Sequence, residues 1–133
     1  MNARIDHLVI AADPLEQGVA WCGATFGVQP SGGGKHALMG THNRVLDIST
    51  VRYPQCYLEI IAIDPESPAP GRPRWFGLDQ PTLREAVRQC PLLVHAVAQT
   101  GMMEMLCSAW PTSTSTSTPA CHWQRSAIRR KAC

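Results

Sequence analysis

Ile5-Asp6-His7-Leu8-Val9-Ile10-Ala11-Ala12-Asp13-Pro14 decides the fold of this chain, because the structural signal changes type inside it. Residues 5–11 form a short apolar run with β-branched Val9 and Ile10, which reads as a strand. Asp13-Pro14 closes that run and opens a helix: Asp13 suits the N-cap and Pro14 the first turn. Leu15, Val19, Cys22 and Phe26 then recur on one helical face, and Gly27 is a natural stop. The stripe reads as core, and Trp21 as packing.

Working outward, Pro30-Ser31-Gly32-Gly33-Gly34 reads as a flexible turn. The lysine that follows, Lys35, does not make it a phosphate loop. Residues 35–39 and 43–48 look like a hairpin with Gly40-Thr41 near its turn, and residues 55–63 are the most apolar strand. Residues 1–64 therefore form a βαβββ module in the α+β class, expected as a four-stranded mixed sheet with one helix on one face. Strand alternation places Leu8, Ile10, Leu58 and Ile60 toward that helix. It places His7 and Glu59 on the opposite face with Ile5, Val9, Tyr57 and Ile61. That face is too apolar to leave wet, so a homodimer, in which this module of each chain stands in for a missing half, or an aggregation-prone monomer is expected.

Residues 65–90 read as a linker, Pro65 to Gly71, then a packing segment at Arg74-Trp75-Phe76 and a short helix with Leu83 and Val87 on one side. Residues 91–110 repeat the opening: His95 lies in a strand that leads toward Trp110, as His7 lies in one that leads toward Trp21. A second module thus begins and is left incomplete. Residues 111–133 alternate Thr and Ser and then turn basic. They read either as a disordered low-complexity tail or as the product of a shifted reading frame.

Charge sharpens this division. The net +2 combines 8 Lys/Arg against 10 Asp/Glu in residues 1–110 with 4 Lys/Arg and no acids in residues 111–133. Basic residues cluster only in the tail, so no nucleic-acid partner is expected. No apolar run is long enough to span a bilayer and no signal-peptide core opens the chain, so a cytoplasmic protein without a membrane partner is expected. None of the six cysteines forms a CxxC pair, and Cys22 and Cys56 read as reduced core thiols.

The segments Ile5 to Ala12, Leu15 to Trp21 and Phe26-Gly27-Val28 resemble the opening of vicinal-oxygen-chelate proteins. Gly40-Thr41-His42-Asn43-Arg44, Tyr57 to Asp64 and Arg72-Pro73-Arg74-Trp75-Phe76 look like the glyoxalase-like-domain branch of that superfamily. The fold class implied is the glyoxalase/bleomycin-resistance/dioxygenase-like βαβββ module, paired in the family to form a cup around a divalent metal. Carried over by position, the resemblance implies His7, Glu59 and His95 as metal ligands, Glu59 as the catalytic carboxylate, and His42, Asn43 and Arg44 as substrate-binding residues. Two histidines and a carboxylate suit Fe, Mn, Ni or Zn and leave positions open for substrate oxygens.

Each of these residues also has a plainer reading. His7 and His95 can be hydrogen-bonded sheet histidines, His42 a solvated turn residue, and Arg44 the ion partner of Glu59 with no metal present. Two functions therefore stay open. One is a metal-dependent lyase, isomerase or dioxygenase acting on a small oxygenated substrate. The other is a non-catalytic small-molecule-binding protein of the resistance type, with an inactive truncated product as a further alternative.

Overall fold

The structure, a computed structural model, describes residues 3–101. Five strands form one sheet: β1 (Ala3–Ala11), β2 (Gly32–His36), β3 (Thr41–Asp47), β4 (Tyr57–Ile63) and β5 (Leu92–Thr100), in the order β2-β3-β4-β1-β5. β1 pairs parallel to β4, and every other neighbouring pair is antiparallel. Helix α1 (Leu15–Phe26) follows β1, and helix α2 (Pro81–Gln89) precedes β5. The four-stranded mixed sheet expected from the first module is present, and β5 extends it at the β1 edge.

Helix α1 covers the face that alternation predicts. Ile10, Ala12, Leu15, Cys22, Leu58, Ile60 and Ala62 form one buried cluster, with Leu8 and Trp21 packed against it. Burial of each large aliphatic side chain there contributes roughly 1.5–3 kcal/mol. The helical stripe differs from the expected one at Gly18 and Phe26. Gly18 is buried, and a Cβ there would meet Ile60 Cγ2 at 2.5 Å, so the helix approaches the sheet through its backbone. Phe26 is 52% exposed and meets the ring of Trp21 edge-on. Asp13 makes no cap; Pro14 occupies that position and the Asp13 carboxylate pairs with Arg88 at 3.3 Å.

Two further expectations are corrected. Gly32 to Gly34 belong to strand β2, paired with Asn43 to Val45, and do not form a turn. Glycine is required in this strand because a Cβ on Gly33 would lie 2.1 Å from the Asn43 carbonyl oxygen. The outer face of the sheet is also not bare. The 3-10 turn Trp75–Gly77 and α2 lie over one half of it, burying Val9, Ala11 and Ile61 against Leu78 and Val87. Local periodicity could not reveal this cover, since it depends on the chain returning across the sheet. Residues 102–133, which include Trp110 and the expected tail, lie outside the described residues.

Candidate metal centre

The parallel register of β1 on β4 sets His7 beside Tyr57 and Val9 beside Glu59. His7 and Glu59 thus stand one step apart on adjacent strands, on the outer face. His7 Nε2 lies 3.5 Å from Glu59 Oε2, and the two side chains are 12% and 9% exposed. Their remaining polar atoms are engaged elsewhere. Asp6 Oδ2 lies 2.7 Å from His7 Nδ1; a carboxylate only accepts, so the Nδ1–H donates to it. Glu59 Oε1 accepts from the Asn43 amide nitrogen, and Asn43 Oδ1 accepts the Gly34 N–H at 2.9 Å. The His7 ring stacks on Tyr57 at 4.5 Å. Burial, reinforced by the charges of Asp6 and Glu59, pushes the Tyr57 phenol up to about 12, so it stays neutral throughout the working range.

The spacing of this pair matches that of two ligands on one cation. Two ligand atoms each about 2.0–2.2 Å from one metal stand roughly 3.0–3.5 Å apart. The His7–Glu59 separation is of that size. Histidine ligands commonly hand their second nitrogen to a carboxylate, and Asp6 supplies one. Among the described residues no lysine or arginine pairs with the buried Glu59 carboxylate. A buried carboxylate without such a partner is costly. Arg44 is not its partner: Arg44 sits opposite Ile60, on the helix side, whereas Val45 sits opposite Glu59.

The same alternation sorts the other sequence-derived candidates. Asn43 reaches the centre and holds Glu59, while His42 and Arg44, its neighbours on β3, occupy positions of the opposite face. His95 stands in the cross-strand row of Glu59, with Val9 between them. Val9 is fully buried, and the exposed His95 ring rests 5.2 Å from that of Phe76. Among the described residues no three His, Cys, Asp or Glu side chains gather into one metal-holding group. Asp6 was missed by sequence reasoning because strict alternation assigns it to the face away from His7. The adjacency Asp6-His7 was the only available signal.

Comparison with known proteins supports this fold. The family model described as glyoxalase-like domain matches residues 5–112. Two solved structures of Streptomyces coelicolor methylmalonyl-CoA epimerase variants, each in complex with 2-nitronate-propionyl-CoA, share the fold. Each is 19% identical, with TM-scores of 0.53 and 0.54, covering 79% of this chain and 67% of the other. No curated protein matches the chain. Among the described residues no helix is long and apolar enough to cross a membrane.

Proposed function

Since this chain belongs to the glyoxalase-like domain family, we propose that it is a metal-dependent catalyst of the lyase, isomerase or dioxygenase kind acting on a small oxygenated molecule. The observation that carries this reading is the His7 Nε2–Glu59 Oε2 pair, buried at 3.5 Å with both outer atoms already engaged. His7 and Glu59 would hold a divalent ion of the Fe, Mn, Ni or Zn type. Such an ion, when bound, supplies Lewis acidity toward a pair of substrate oxygens. Asn43 fixes which Glu59 oxygen faces the site, so Oε2 is the atom offered to a cation or to a substrate proton. The Tyr57 ring shields one side of the imidazole from water. His95 is the third ligand in this reading, and it reaches the centre only by leaving Phe76 and passing Val9.

A small-molecule substrate and a cytoplasmic location go with this proposal, as does a homodimer. The turn at Trp75 and helix α2 already cover Val9 and Ile61, so a dimer on that face would draw on Leu92, which stands opposite Ala11 and is still exposed. Titration calorimetry of the full chain with Mn, Ni or Zn should show one site. His7→Ala or Glu59→Ala should each abolish it, and His95→Ala should weaken it. Undiminished binding in the first two variants removes the site and leaves the binding-protein reading in front.

A further inference from the structure

We infer that Asp6 is a positioning residue for the cation site, turned toward His7 by a β-bulge at its own place in strand β1. The inference rests on His7 being a ligand, as proposed above. Consecutive residues of a regular strand point to opposite faces, so Asp6 should lie across the sheet from His7. The pairing of β1 with β5 breaks that rule. Ile5 stands opposite Ala98 and His7 opposite Val97, which leaves Asp6 as the extra residue. Such bulges bend a strand and redirect a side chain. Here the redirected carboxylate meets the ring of its own neighbour, with Oδ2 2.7 Å from Nδ1.

The contact decides which ring nitrogen is free. Two carboxylates face this imidazole from its two sides, Asp6 at 2.7 Å and Glu59 at 3.5 Å. A neutral imidazole has one N–H to give, and the closer acceptor takes it. Nε2 is then left with its lone pair toward Glu59 Oε2, the form a metal requires. Without Asp6, the hydrogen gains more on Nε2, where it reaches Glu59. That hydrogen must then move to Nδ1, now without its acceptor, before Nε2 is free for a cation. Asp6 thus raises affinity without touching the metal.

The test uses the full chain, Asp6→Ala and Asp6→Asn, and reads two quantities. Mn affinity by calorimetry should fall about 10- to 100-fold in Asp6→Ala, the range seen when such supporting carboxylates are lost. Asp6→Asn should recover much of it, since its amide oxygen still accepts the Nδ1–H. Nitrogen NMR of the His7 ring in metal-free protein at alkaline pH should show Nδ1–H in the parent and in Asp6→Asn, and Nε2–H in Asp6→Ala. Asp6→Ser, too short to reach the ring, replaces the alanine variant if that one does not fold. Retention of Nδ1–H and of affinity within about twofold in Asp6→Ala overturns the inference. If the parent chain binds no Mn, the proposed function fails separately, and the tautomer shift still decides the role of Asp6.

Discussion

Two carboxylates are buried along one stretch of chain, Glu59 within β4 and Asp64 just beyond its end, and they are treated differently. Asp64 is fully provided for. Lys35 Nζ lies 3.0 Å away, the Ser67 hydroxyl donates to it at 2.9 Å and the Glu66 N–H at 3.0 Å. The hydrogen bond from Lys35, with those of Glu66 and Ser67, overcomes desolvation and holds its carboxyl down at about 2. Glu59 has one amide donor and a histidine, with no lysine or arginine paired to it among the described residues. A carboxylate closed by its own chain ties the end of a strand to the hairpin beside it. One left short of positive charge is the carboxylate that the proposed function assigns to a cation. Burial alone would have ranked the two alike.

That contrast can be broken by substitution. Asp64→Ala should lower the melting temperature more than any other single carboxylate replacement in the chain, as it strands Lys35 and opens the turn at Ser67. Cation binding measured on the folded variant should not change. A milder effect comes from acid. The Asp64 carboxyl is depressed in the folded chain, so its contribution is present above the ordinary carboxylate range, near pH 4, and is lost as pH falls toward about 2. Asp64→Asn should reduce the slope of the stability profile across that window, leaving the part due to Asp47 and Asp79, whose carboxyls are also held below the ordinary range. Glu59→Gln should have the smallest effect on stability, within about 1 kcal/mol and of either sign, because removal of an uncompensated buried charge offsets the altered contact with His7. It should nevertheless eliminate cation binding. A large loss of stability in Glu59→Gln would place both carboxylates in the structural class.

Much of the fold was legible in the sequence where a regular period ran uninterrupted. The β1–α1 transition, the inward set Leu8, Ile10, Leu58 and Ile60, and helix α2 with Val87 on its buried side all follow from local pattern. The pairing of His7 with Glu59 was legible for the same reason, since alternation put both on one face. The misses lie where a residue departs from its usual meaning. Gly32 to Gly34 carry turn composition yet serve as strand, because Gly33 must approach the Asn43 carbonyl. Asp6 needed the bulge, which appears only once β5 is set beside β1. His42, Asn43 and Arg44 were grouped as neighbours in sequence, and the pleat divides them.

The position of β1 in the sheet has a consequence for how the chain is made. Among the described strands β1 is made first, yet it lies between β4 and β5, the two made last. Its parallel partner arrives some 50 residues later and its antiparallel partner some 90 later. Until β4 is made, then, Ile10 has α1 to shelter it, while Val9, on the other face, still lacks the cover that Leu78 and Val87 later give it. Contacts this distant in sequence form slowly and leave apolar strand exposed while they wait. His7 and Glu59 need only the pairing of β1 with β4 to meet, and neither α2 nor β5 lies between them. The candidate pair therefore needs only part of the sheet, and a fragment ending after residue 64 is the shortest species on which a cation could bind both residues.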